Sequence, residues 1–319
     1  MDEIIKNFKK QFEWEPQIEN ADRLKQYDKY VVCGMGASAL AGDLLRIEGR
    51  GTKITVWRDY GLPETDPNTL VIACSYAGNT EETIDSFNEA MQRRLPLAAV
   101  TAGGQLLILA KQHGIPYIQL PDTGIHARMA AGFSAKALMK LVGPKEEGAY
   151  RELSTLQSAL DVEAARVDGE TLANDLRNKI PIICASNKNF DLAYNWKVKF
   201  NEIGRIPAFA SQFPELNHNE MTGFDSVPKN KNLSENLAFV FLEDEADDPR
   251  ILKRMEICKK MYQEREFAAF SLKVAGKSFW QKIFQNLLIG DWTAFYLGQH
   301  YGANPDSAPM AEAFGKLIK

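Results

Sequence analysis

Val71-Ile-Ala-Cys-Ser75-Tyr-Ala-Gly78-Asn79-Thr80-Glu81-Glu82-Thr83 is the stretch from which the fold can be read. An apolar run ends in small hydroxylated residues and a glycine, then passes into a polar, helix-starting segment, which is the pattern of a buried strand turning into a helix. Asn79 and Glu82 have the spacing of a capping box, which predicts a helix starting at Asn79 or Thr80. The first turn of a helix leaves N–H groups unpaired and carries partial positive charge. Ser75 and Thr80 add hydroxyl donors there, and Gly78 lets the backbone approach closely. The arrangement suits a phosphate or another small anion. The ordinary alternative is a capped strand-to-helix turn with no ligand.

Outward from this stretch the same rhythm repeats. Strands are predicted at Tyr30–Cys33, Lys53–Trp57, Leu70–Cys74, Leu97–Thr101 and Pro116–Leu120. Helices are predicted at Leu40–Ile47, after Thr80 with Ile84, Phe87 and Met91 inward, at 104–113 and from Arg128 to Leu141. Ile4, Phe8 and Phe12 fall at four-residue spacing, which predicts an amphipathic helix within residues 2–27. Strands alternating with helices argue a parallel sheet covered on both faces. Residues 143–178 turn charged and helical. The rhythm then returns, with strands at Ile180–Ala185, Leu237–Leu242 and Phe267–Val274 and helices at Phe190–Ile203, Asp248–Arg265 and 278–300. The predicted fold is α/β, two doubly wound parallel-sheet domains in tandem, residues 1–146 and 147–319. The second half reads as a diverged copy of the first. Its counterpart of the Ser75–Thr80 loop is Glu243-Asp-Glu-Ala-Asp-Asp248, whose five carboxylates would repel a phosphate. Phosphate binding is therefore expected in the first half alone.

Bulk properties narrow the function. The 319 residues are 45% hydrophobic and 25% charged, as in a globular chain with ample core. A net charge of −4 without a long basic cluster argues against nucleic acid. Four widely spaced cysteines without a Cys-x-x-Cys pair suggest buried free thiols rather than disulfides or zinc. No apolar run approaches the about 20 residues of a membrane span, and the N-terminus lacks a signal-peptide core. A cytoplasmic location without membrane partners is expected.

Gly34-Met-Gly36-Ala-Ser38-Ala39 follows a strand and opens a helix. It satisfies Gly-x-Gly-x-x-Ala, and Asp59 lies twenty residues further on, as in a dinucleotide fingerprint. The alternative reading makes Ser38 a second hydroxyl donor flanking a phosphate held by Ser75–Thr80, and the hydroxyl-rich loop after the third strand favours it. Among the four histidines, His218 stands out, in a polar loop between Pro214 and Gly223. Glu202 ends a helix, where the dipole disfavours a carboxylate, as suits a general base of raised pKa; a surface Glu is the ordinary alternative. Arg128 heads a helix of small residues and could stabilise an enolate or a phosphate; the alternative is a solvated N-terminal Arg.

Together, Gly34-Met-Gly-Ala-Ser38, Ser75-Tyr-Ala-Gly-Asn-Thr80-Glu-Glu-Thr83, Ala127-Arg128-Met-Ala-Ala, Phe200-Asn-Glu202 and Pro214-Glu-Leu-Asn-His218-Asn-Glu resemble the bifunctional phosphoglucose/phosphomannose isomerases. These are small members of the phosphoglucose isomerase superfamily, built from two sugar isomerase (SIS) domains. The resemblance runs from about residue 15 to the C-terminus. It implies a homodimer with active sites shared between subunits, acting on a sugar phosphate through an enediol(ate) with no metal or other cofactor. By the same resemblance Gly36, Ser38, Ser75, Gly78 and Thr80 surround the substrate phosphate and Glu202 moves the proton between C1 and C2. Arg128 stabilises the intermediate, and His218 from the partner subunit assists ring opening.

This chain departs from that pattern at three places. Ala77 replaces a serine of the phosphate loop, which predicts weaker phosphate binding. Ala37 stands where a glycine is frequent. Ala308 replaces a threonine linked to tolerance of the mannose epimer, and Lys316 lies one position out of register with the lysine of the final helix. A non-catalytic sugar-phosphate sensor is the alternative that these departures keep open.

Overall fold

The structure is a computed structural model that describes residues 1–48, 53–143, 147–225 and 227–318. The chain divides into two compact units, Asn7–Leu160 and Asp161–Lys319, the latter joined by Met1–Lys6.

The first unit carries β1 (Lys29–Cys33), α2 (Gly36–Glu48), β2 (Lys53–Trp57), β3 (Thr69–Cys74), α3 (Glu81–Gln92), β4 (Leu97–Thr101), α4 (Gly104–His113), β5 (Tyr117–Gln119), α5 (Ala131–Val142) and α6 (Glu147–Ala159). All of its strands are parallel, in the order β2-β1-β3-β4-β5. The alternation of a strand's side chains sends Val31, Cys33, Val71, Ala73, Leu97 and Ala99 to one face, where they bury against Phe87 and Ala90 of α3 and Leu106 and Ala110 of α4. Helices α2 and α5 cover the other face. Both faces being dry explains why β3 and β4 read as unbroken apolar runs.

The second unit carries α1 (Asp2–Lys6), α7 (Val162–Asp175), β6 (Ile180–Ser186), α8 (Phe190–Glu202), β7 (Phe209–Phe213), α9 (Glu220–Gly223), β8 (Leu237–Glu243), α10 (Pro249–Glu264), β9 (Ala268–Lys273), α11 (Phe279–His300) and α12 (Pro309–Leu317). Its parallel sheet runs β7-β6-β8-β9, the same order with four strands among the described residues. Met255, Cys258 and Tyr262 of α10 pack on one face, on Phe239, Phe241 and Phe213.

Three expectations change. The helix expected within residues 2–27 is broken into α1, a 3-10 turn at Phe8–Glu13 and another at Ala21–Arg23. Phe8 and Phe12 are buried in one unit, whereas Ile4 belongs to the other and is only half-buried, its neighbour Ile5 taking the buried place. The compact units part at Asp161 rather than at residue 147, because α6 buries Ala149, Leu153 and Leu156 and packs on Phe8–Glu13 and α5. Strand β7 was not foreseen: its five residues lie between Pro207 and Pro214 and form an edge strand with only two apolar positions of consequence, Phe209 and Phe213.

Candidate active site

In the order 2-1-3-4-5 the chain leaves neighbouring β1 and β3 toward opposite faces, and a crevice opens at their carboxyl ends. The two loops there are stitched together. The Tyr76 N–H donates to Ser38 Oγ at 3.1 Å. A Cβ at Gly34 would lie 2.6 Å from the Cys74 carbonyl, so that glycine serves close packing of the loop against β3. Ser75 Oγ and Thr80 Oγ1 are 2.8 Å apart and share a proton donation, and Ser75 Oγ also accepts from the Gly78 N–H at 3.1 Å. One hydroxyl proton of the pair is left to give to another acceptor. Thr80 is the N-cap of α3, extended and without a side-chain cap bond of its own. The open first turn of α3, two oriented hydroxyls and Ser38 thus surround a place suited to a phosphate. Gly36 opens α2 with φ of +50°, a conformation that favours glycine.

The capping box expected from Asn79 and Glu82 is not formed. Asn79 Oδ1 accepts instead from the Gln105 N–H at 2.9 Å, in the first turn of α4. Gly78 likewise serves the neighbouring loop: with φ of +74°, its Cβ would fall 1.8 Å from the Gly103 carbonyl. Gly104 faces the Ala77 carbonyl in the same way, and the Leu106 N–H donates to the Gly78 carbonyl at 2.9 Å. The β3–α3 loop therefore rests on the β4–α4 loop.

Arg128 is half-buried in a 3-10 turn, Ala127–Met129, that packs against α2. The turn is clamped by buried Gln11, whose Nε2 donates to the Met129 carbonyl at 2.7 Å while its Oε1 accepts from the Gly132 and Phe133 N–H groups. Gln11 thereby occupies the N-terminus of α5 and removes it as an anion site. Sequence alone did not reveal this, because the cap comes from more than a hundred residues away.

The corresponding crevice in the second unit, between β6 and β8, is filled by the protein. Fully buried Asn189 donates to Asp244 and Asp247, each at 3.1 Å, and Lys282 donates to Asp244 at 2.6 Å. Burial disfavours the ionised Asp244, but hydrogen bonds from Lys282, the Ala246 N–H and Asn189 outweigh it and hold the carboxyl below its usual range. Burial pushes Asp247 the other way, upward. Two of the loop's carboxyls are thus taken up by bonds from Asn189, Lys282 and the Ala246 N–H, where the first crevice presents hydroxyls.

Glu202 is the last residue of α8 and half-buried; its carboxylate has no hydrogen bond or ion pair among the described residues. The turn that carries it is wide. Both the Ile203 and Gly204 N–H groups donate to the Lys199 carbonyl, at 2.8 and 3.3 Å, and Asn201 Nδ2 closes the turn on the Ile206 carbonyl at 2.9 Å. Arg205 takes the left-handed conformation, with φ of +55°.

His218 lies beyond the Phe213–Pro214 peptide, which is cis. Its imidazole is exposed, whereas its loop is held by the buried Leu216, by Arg254 on Asn217 at 3.2 Å and by Asn219 on Glu215 at 2.7 Å. Lys316 is exposed on α12. Ahead of that helix, Asn304 organises the turn: its carbonyl accepts from the Ser307 hydroxyl at 3.4 Å and its Oδ1 from the Asp306 N–H at 2.9 Å. The first unit thus gathers Gly36, Ser38, Ser75, Gly78 and Thr80 at one crevice and packs the Arg128 turn on α2. Glu202, His218 and Lys316 belong to the second unit.

Among the described residues, no cluster of three or more His, Cys, Asp or Glu side chains could hold a metal ion, and no helix is long and apolar enough to cross a membrane. All four cysteines are buried and free.

Residues 166–316 match the family model of the bacterial phospho-glucose isomerase C-terminal SIS domain. The chain is 30% identical to a bifunctional phosphoglucose/phosphomannose isomerase of Aquifex aeolicus, over 99% of this chain and 97% of that one. It is 32% identical to another of that name from Caldicellulosiruptor bescii, over 89% and 87%. A phosphosugar isomerase structure from Clostridium difficile, so titled as putative, shares the fold with a TM-score of 0.68 and 16% identity, over 96% of this chain and 91% of that one.

Proposed function

The chain belongs to the family of bifunctional phosphoglucose/phosphomannose isomerases, and we propose that its chemistry is divided between a phosphate-holding first unit and a proton-moving second unit. The protein is an aldose–ketose isomerase that interconverts glucose 6-phosphate, and mannose 6-phosphate as a second aldose, with fructose 6-phosphate. The observation that carries the division of labour is the contrast between the two crevices. The one at β1/β3 presents oriented hydroxyls and an open helix N-terminus, and the one at β6/β8 is filled by Asn189, Asp244, Asp247 and Lys282.

In this reading Ser38, Ser75, Thr80 and the first N–H groups of α3 hold the phosphate, with Gly36 and Gly78 shaping the loops. His218, supplied by the partner subunit of a homodimer, moves the proton that opens the sugar ring, and Lys316 lies close enough in sequence to the family's C-terminal lysine to assist. Glu202 then removes the proton from C2 of the open aldose. The electron pair of that C–H bond forms the C1–C2 double bond of an enediolate, and the carbonyl electrons move onto O1. Arg128 stabilises this oxygen charge. Passage of the O2 proton to O1 and return of the first proton from Glu202 to C1, with the carbonyl re-formed at C2, yields the ketose; return to C2 instead yields glucose or mannose 6-phosphate, according to the face of C2 that the enediolate, turned about C2–C3, presents to Glu202. A carboxylate with no partner of its own is free for this exchange. A cytoplasmic location is part of the same proposal and agrees with four free thiols.

A coupled assay with fructose 6-phosphate and mannose 6-phosphate in parallel tests the assignment. Glu202→Gln should abolish turnover and leave sugar-phosphate binding intact; full activity in that variant removes Glu202 from the role. His218→Ala should slow closed-ring substrate more than a pre-opened analogue, and equal losses on the two would remove it from ring opening. A purified protein that binds sugar phosphate but turns over none would favour the sensor.

A further inference from the structure

Three residues before Glu202, α8 is joined to α11 by a buried ion pair. Lys199 Nζ donates to Asp291 Oδ1, and the two side chains are only 4% and 1% exposed. A buried pair of this kind adds little stability over apolar side chains of similar volume, since the loss of hydration offsets the attraction. Its effect lies in direction: a hydrogen bond between fixed atoms sets the rotation of one helix against the other, which apolar contact alone sets less sharply.

The surroundings amplify that effect. A Cβ at Gly290 would meet the Trp196 ring at 2.9 Å, and one at Gly298 would meet the Ile203 carbonyl at 2.7 Å, so α8 and α11 approach closely on both sides of the pair. Trp196 Nε1 donates to Asn286 Oδ1 at 2.9 Å one turn earlier. Lys199 is also the acceptor of the wide turn, its carbonyl taking both the Ile203 and the Gly204 N–H. One residue therefore fixes the helix through its side chain and the last turn through its backbone, and Glu202 lies within that turn.

We propose that Lys199 and Asp291 are positioning residues for the isomerisation, setting the rotation of the last turn of α8 and with it the place of the Glu202 carboxylate. They act through Glu202, and the proposal rests on the reading of Glu202 as the base. Proton transfer to carbon is sensitive to such placement, a displacement of about 1 Å costing on the order of a hundredfold.

The test replaces the pair by apolar side chains, Lys199→Met with Asp291→Leu, leaving no lone buried charge. The melting temperature should stay close to that of the unaltered protein, KM for fructose 6-phosphate should change less than about twofold, and kcat should fall roughly ten- to a hundredfold. Asp291→Glu, which keeps the charges and lengthens the pair by one methylene, should lower kcat with the same unchanged KM. Either variant, folded and with undiminished kcat, overturns the proposal, as does a fall in kcat that only tracks loss of folded protein. Glu202→Gln assayed alongside separates the two claims. If it is active, the base assignment fails and the positioning role with it. If it is inactive while the double variant is fully active, the positioning role alone fails.

Discussion

Asn79 caps a helix to which it does not belong. Its Oδ1 accepts from the Gln105 N–H at 2.9 Å, tying the loop after β3 to the first turn of α4. Asn79→Ala should therefore lower stability by about 1 kcal/mol, the usual cost of losing such a cap, and raise KM by loosening the loop. Denaturant titration and steady-state kinetics would read the two effects. Gly78→Ala should be worse than Asn79→Ala, because its Cβ would lie 1.8 Å from the Gly103 carbonyl at a φ of +74°.

Ser75 and Thr80 share a hydrogen bond of 2.8 Å, so they should behave as a unit toward phosphate. Ser75→Ala or Thr80→Val should each raise KM roughly tenfold, as expected for losing a bond to a charged group worth about 1.5–3 kcal/mol. The double variant should fall short of the summed effect. A double-mutant cycle on fructose 6-phosphate affinity measures the coupling, and strict additivity would count against the shared role.

Ala308 precedes the proline that opens α12, and the nearby Ser307 hydroxyl is already bonded to the Asn304 carbonyl at 3.4 Å. That serine is thus engaged with its own turn. Ala308→Thr should raise kcat/KM for mannose 6-phosphate relative to glucose 6-phosphate. An unchanged ratio would show that this position does not govern epimer tolerance here.

Asp244 and Asp247 should give opposite pH dependences of stability. Asp244 is held below its unfolded pKa, so its contribution is present above about pH 4 and is lost as pH falls through the folded value. Asp244→Asn should therefore destabilise most at neutral pH, and the gap from the unaltered protein should narrow in acid. Asp247 is held above its unfolded pKa by burial, so its ionisation at neutral pH costs stability, a cost relieved as pH falls through the raised folded value. Asp247→Asn should gain on the unaltered protein at pH 7 and lose that gain near pH 4. Melting curves across this range would resolve the two slopes.

The buried strands β1, β3 and β4 and the helices between them were legible as residue patterns because parallel strands covered on both faces are continuous apolar runs. The residues proposed to hold the phosphate stood out as candidates for a related reason, as they cluster within two short loops. Strand β7 was not legible, since an edge strand between prolines has neither the length nor the apolar content to stand out. The N-terminal four-residue spacing misled because Ile4, only half-buried, and the buried Phe8–Phe12 pair belong to different units.

By itself the sequence determined the alternation of strands and helices, the hydroxyl-rich loop and the acidic character of its counterpart, all of them properties of neighbouring residues. Tertiary structure alone decided which groups those side chains meet. Gln11 reaches the start of α5, Asn79 caps α4, Asn189 and Lys282 bond Asp244 of the acidic loop, and Lys199 meets Asp291. Each of these bonds joins residues 26 to 121 positions apart. A hydrogen bond needs its donor and acceptor within about 3 Å, a condition that spacing along the chain cannot express and that only the packed sheets and helices impose.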